Sequence, residues 1–182
     1  MKLNVANIRS GDVFFIRSFS PIGLLIQFVT GIFKPTHTGI ILKDHRKQGL
    51  YVIEMVADFT RPKKNALLCR PINIYFSRWK FWQKLISIKR APEGILSSFK
   101  EKFTYAIADY LKKKQEYDYQ EGISFITDKK DDSPKLICSR FVYELHKKCG
   151  VDFKLYQRSF DILVSPADLY NCKIYNEVDW KL

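Results

Sequence analysis

The sequence predicts an α+β fold in which an antiparallel sheet is packed with helices, and three observations predict it. Short apolar segments rich in β-branched and aromatic residues recur in the first half, at Val13 to Ile16, Pro35 to Leu42, Tyr51 to Val56 and Leu85 to Lys89. Two of them flank the polar stretch Lys43 to Gly49 and read as a hairpin. From Pro92 onward the apolar period changes from two to about 3.6, the spacing of helices.

Taken in order, Ser10-Gly11-Asp12 is a turn into the buried strand Val13 to Ile16. Ser20 caps a helix with Pro21 at its first position, and Ile22, Leu25, Ile26, Val29 and Phe33 mark an apolar face expected to pack on the sheet. His37 opens the next strand, and Glu54 is the one acid inside the apolar return strand. A carboxylate there faces solvent or is paired, because burying it alone costs several kcal/mol. Ala66 to Arg70 is a further short strand, and Ile72 to Trp82 is aromatic without a clear period.

Ile95, Leu96, Phe99, Phe103, Ala106, Ile107, Tyr110 and Leu111 form the clearest amphipathic helix, which ends on Lys112 to Lys114 where cations suit the helix dipole. The irregular stretch Gln115 to Pro134 leads to a second helix that opens on Cys138. Phe141, Val142, Leu145 and Cys149 make its apolar face, and Gly150 supplies a left-handed stop. Ser165 to Leu169 reads as a short helical turn, and Lys173 to Val178 alternates as a last strand.

At 182 residues, with 46% hydrophobic and 15% aromatic residues, the chain is long enough to bury a core without staples and reads as one domain over 1–182. Cys69, Cys138, Cys149 and Cys172 form no CxxC pair, and His37, His45 and His146 show no ligand spacing, so neither a zinc site nor a disulfide framework is supported and no cofactor is expected. Pro21 to Val29 is too short for a membrane span, and no signal peptide is evident, which points to a cytoplasmic protein. The net charge of +12 gives a surface that attracts anionic lipid or polyanions. The basic residues are not interleaved with aromatics as in RNA-reading modules, so no specific nucleic-acid partner is expected.

Chemistry converges on three residues. Cys138 sits where a helix start offers unpaired N–H groups and partial positive charge, a setting that favours a nucleophilic thiolate, although most free cysteines are buried small hydrophobes. His37 is placed to exchange a proton with it, and Glu54 on the neighbouring strand to orient the imidazole. His45 and His146 read as surface residues.

Gly11-Asp12-Val13-Phe14-Phe15, Thr36-His37-Thr38-Gly39-Ile40-Ile41-Leu42, Val52-Ile53-Glu54 and Ile137-Cys138-Ser139-Arg140-Phe141-Val142 occur in the order seen in one family. They resemble the signatures of the circularly permuted NlpC-type papain-like cysteine hydrolases, the YiiX/YaeF-like group, in which histidine precedes cysteine. The likeness spans about Ser10 to Gly150, with His-x-Gly-Ile and the helix-start Cys-Ser its most specific parts, and Ser165 to Leu169 is similar to the family's closing Pro-x-Asp-Leu segment.

The resemblance implies a permuted papain-like fold, a Cys138, His37 and Glu54 triad, and Tyr117, or its neighbour Tyr119, beside the oxyanion. Met55 stands where the family often has a small residue, and Arg140 where an acid is frequent. The Asn-Cys-Glu-His motif of lecithin:retinol acyltransferase-like relatives is not matched by Ile137-Cys138-Ser139-Arg140. The implied activity is cleavage of an amide in a small peptide or acylated amine, cell-wall peptides included, through a thioester. The alternatives are a lipid esterase or acyltransferase of the same fold, and a catalytically silent basic module that binds nucleic acid or anionic membrane.

Overall fold

The computed structural model describes residues 6–19, 21–31, 33–44, 49–56, 66–73, 83–91, 99–113, 137–151, 153 and 164–179. Its sheet has six strands: β1 (Val13–Ser18), β2 (His37–Asp44), β3 (Gly49–Met55), β4 (Leu67–Pro71), β5 (Gln83–Arg90) and β6 (Asn176–Glu177). Their spatial order is β4-β3-β2-β1-β5-β6, and every neighbouring pair is antiparallel. The helices are α1 (Pro21–Thr30), α2 (Phe99–Lys112), α3 (Cys138–Lys148) and α4 (Pro166–Asn171). The α+β class expected from the sequence is the one observed.

Alternation along the central strands divides the core in two. Val13, Phe15, Ile40, Ile53 and Met55 join Phe103 and Ile107 of α2 and Phe141, Val142 and Leu145 of α3 in one cluster. The residues between them, Phe14, Ile16, Ile41 and Val52, join Leu85 and Ile88 in the other. A one-residue slip of β2 would exchange these two sets, so burial of both faces fixes the register. That register pairs Ile16 with His37, and Ile40 with Ile53.

Helix α3 forms as expected. Its apolar stripe is buried, the basic Lys147 and Lys148 lie in its last turn, and Gly150 follows at φ +90°, a conformation that disfavours a side chain. Ser139, the second residue, is buried and donates its hydroxyl to the carbonyl of Val164. Just beyond Val164, α4 starts with a capping box: Ser165 Oγ accepts from the Asp168 N–H at 3.1 Å, and the Asp168 carboxylate accepts from the Ser165 N–H at 2.8 Å. The segment after Val164 is thereby locked against the start of α3.

Two expectations need correction. The last strand is Asn176–Glu177, not Lys173 to Val178, because Ile174, Tyr175 and Val178 turn into the core instead of continuing a ladder. Phe33 is not on a face packed against the sheet; it lies beyond α1 and is exposed. Helix α1 meets the end of β1 through Gly23, where an added Cβ would lie 2.4 Å from the Ser18 carbonyl, and through Gln27, whose Nε2 donates to that carbonyl at 2.8 Å. The expected helix from Pro92 is observed from Phe99, and 92–98 lie outside the described residues. No helix among the described residues is long and apolar enough to cross a membrane.

Candidate active site

His37 is the first residue of β2, Glu54 the penultimate residue of β3, and Cys138 the first residue of α3. The antiparallel pairing of β2 with β3 brings the start of one strand to the end of the other, so the histidine and the acid share one end of the sheet. Continuing the register from Ile40 and Ile53 sets Glu54 opposite Gly39, two residues from His37 on the same face. The His37 Nε2 and Glu54 Oε2 are 2.7 Å apart.

Gly39 makes room for that diagonal contact. A Cβ there would lie 2.7 Å from the Ile53 carbonyl and 2.7 Å from the ring of Phe14, the residue paired with Gly39 on the other side. Phe14 also stands beside the imidazole, with ring centroids 6.4 Å apart. Next along the strand, Thr38 points to the opposite face and donates its hydroxyl to the Phe14 carbonyl at 2.8 Å. The histidine is thus held on a rigid strand, as a site that needs fixed geometry requires.

Glu54 is 2% exposed, so the solvated-face reading of this acid does not hold. Cys138 is 5% exposed, and its charge and hydrogen bonding act on the His37 imidazole. Burial acts to lower the His37 pKa, but the charge and hydrogen bond of Cys138, followed by those of Glu54, outweigh it and raise the pKa to about 10. The two neighbours thus favour the charged form of the imidazole.

All four cysteines are free. Burial pushes Cys149 up to about 11 and raises Cys69 and Cys172 as well, although Cys69 is an exposed residue. Among the described residues, no three His, Cys, Asp or Glu side chains are grouped as a metal ion would require.

Tyr117 and Tyr119, expected beside the oxyanion, lie outside the described residues, as does His45. His146 is not a surface residue. It is fully buried, with Nε2–H donating to the Gly11 carbonyl at 3.2 Å and Nδ1 accepting from the Tyr175 hydroxyl at 2.7 Å. Burial lowers its pKa to about 4, so it is neutral and structural at ordinary pH. The signal for its burial was its place four residues after Val142 on the apolar side, but its two polar partners lie far away in sequence. Gly39 was legible only as part of a motif, and the contacts that a Cβ would make give it a reason.

No family model matches the chain, and no curated protein matches it. Among solved structures, the crystal structure of the metalloprotein yiiX from Escherichia coli O157:H7 is similar, with a TM-score of 0.67 over 96% of this chain and 98% of that chain. The identity is 17%, so the likeness is one of fold, and the chain has a YiiX-like α+β architecture.

Proposed function

We propose that the protein is a thiol hydrolase of the circularly permuted papain-like type, cleaving the amide of a small peptide or acylated amine through a thioester. The observation that carries this reading is the His37 imidazole held between two groups: Glu54 at 2.7 Å from Nε2, and the Cys138 sulfur acting on the same ring.

In the proposed reaction, Cys138 attacks the carbonyl carbon as a thiolate, and the carbonyl oxygen takes the negative charge. The backbone N–H of Cys138, in the first turn of α3 where no helical carbonyl is in reach, is available to that oxygen. His37 gives its proton to the leaving amine as the C–N bond breaks, which leaves an acyl group on sulfur and a neutral imidazole. Water then attacks the thioester, His37 takes its proton, and the acid product leaves as the thiolate and imidazolium are restored. Glu54 keeps the ring in place and favours its charged form.

The similar yiiX structure is that of a metalloprotein. The donor groups of this chain do not fit a metal: His37 Nε2 faces Glu54, and no group of three metal-binding side chains is found among the described residues. No step of the reaction passes through a metal.

A panel of acyl p-nitroanilides and acyl p-nitrophenyl esters tests the reading. Turnover that disappears in Cys138→Ala and in His37→Ala, while both variants keep the wild-type thermal transition, supports it. Turnover that survives Cys138→Ala refutes it.

A further inference from the structure

Helix α1 is built inside out for a water-facing helix. Its only strongly polar long side chain, Gln27, is turned inward onto the Ser18 carbonyl, while Leu24 and Phe28, one turn apart on the outside, are 51% and 85% exposed. Phe33 just beyond the helix is 79% exposed, and Phe19 just before it is exposed as well. Single exposed apolar residues need no explanation, but four large ones around one helix mark an interaction surface.

The formal charges next to this helix in the sequence are of one sign. From Val13 to Lys43 the sequence contains no Asp or Glu, and its basic residues are Arg17, Lys34, Lys43 and His37. The Arg17 guanidinium lies over the Phe33 ring at 5.6 Å, and its Nε has no hydrogen-bond partner among the described residues. Lys34 donates to the neutral side-chain amide of Asn171 at 3.2 Å, and no ion pair is found for it among the described residues. Aromatic and leucine side chains ringed by cations fit the boundary between lipid headgroups and acyl chains. A second copy fits poorly, because a two-fold contact through this face would set Arg17 and Lys34 against themselves on a protein of net charge +12.

We infer that the α1 face docks on an anionic lipid bilayer, with Leu24, Phe28 and Phe33 entering the headgroup region and Arg17 and Lys34 meeting lipid phosphates. The surface lies at the end of β1 where Ile16 pairs with His37, so docking brings the candidate active site to the membrane. The inference does not depend on the chemistry of Cys138.

Sedimentation of the full chain with phosphatidylcholine vesicles containing about 30% phosphatidylserine tests this directly. Binding is expected to fall about tenfold or more in the double variant Phe28→Ser and Phe33→Ser, and to weaken on pure phosphatidylcholine. The same binding is expected from Cys138→Ala, which separates this result from the fate of the hydrolase reading. The emission that Phe28→Trp adds to that of Trp79, Trp82 and Trp180, read as a difference from the wild type, should shift to the blue on vesicles and be quenched by brominated acyl chains. Binding that is unchanged in the double serine variant, or a tryptophan that stays in water, overturns the inference. A concentration-dependent dimer abolished by Phe28→Ser with no vesicle binding also overturns it, and assigns the face to a second copy.

Discussion

Glu54 reaches His37 across Gly39: the register sets the acid opposite the glycine, and its carboxylate leans along the strand to a histidine two residues away, at 2.7 Å. The space above a residue without a side chain therefore decides whether the pair can form.

Gly39→Ala tests that dependence. The added Cβ would meet the Ile53 carbonyl and the Phe14 ring at 2.7 Å each, and a backbone carbonyl in a central strand cannot move aside cheaply. The variant is expected to lose about 1–3 kcal/mol, the usual cost of overpacking, read from its urea midpoint. Its Cys138 alkylation should slow as well, because the strand shift separates His37 from Glu54. Unchanged stability and alkylation would show that the glycine is not needed.

Removing each neighbour of His37 should change its titration by unequal amounts. Burial opposes the charged ring, Cys138 contributes more than Glu54 to overcoming it, and together they hold the pKa near 10. In proton NMR the His37 ring should show no titration step between pH 5 and 8 in the wild type. Its midpoint should drop further in Cys138→Ala than in Glu54→Gln. Under the proposed reaction, Glu54→Gln keeps one acceptor oxygen and should lose about 10- to 1000-fold in rate. A wild-type His37 that titrates near 6.5 would remove the electrostatic basis of the site.

His146 should make stability depend on acidity in the opposite sense. Its pKa falls from 6.5 in the unfolded chain to about 4 in the fold, so the unfolded state binds the proton first as the pH drops. Its contribution is present above pH 6.5 and is lost as the pH falls toward 4, on the order of 3 kcal/mol in total. His146→Gln cannot titrate, and the difference between its unfolding curve and that of the wild type should change across that window. A constant difference from pH 7 to 4 would mean that His146 is charged in the fold.

How much of this was legible in the sequence depends on how local the cause was. Alternation in Thr36 to Leu42 and Tyr51 to Val56 was enough to place His37 and Glu54 on one hairpin, because strand period and turn are encoded within about twenty residues. The start of α3 at Cys138 was also local, set by apolar spacing and a terminal glycine. His146 was misread because a buried imidazole needs partners, and Gly11 and Tyr175 come from opposite ends of the chain. The inward turn of Gln27 was hidden for the same reason, since it follows from the Ser18 carbonyl at the end of another element. The shortness of β6 reflects Ile174 and Tyr175 going to the core, a choice that two-residue alternation does not reveal.

The most direct test of the central claim is limited alkylation with iodoacetamide near pH 6, followed by peptide mass mapping of Cys69, Cys138, Cys149 and Cys172. Access alone favours Cys69, which is exposed, over Cys138, which is 5% exposed. The raised pKa values of Cys69, Cys149 and Cys172 make those thiols slow nucleophiles at this pH. The account predicts that Cys138 is labelled first, and that His37→Ala removes its lead. Labelling that begins at Cys69 and is unaffected by His37→Ala would contradict it.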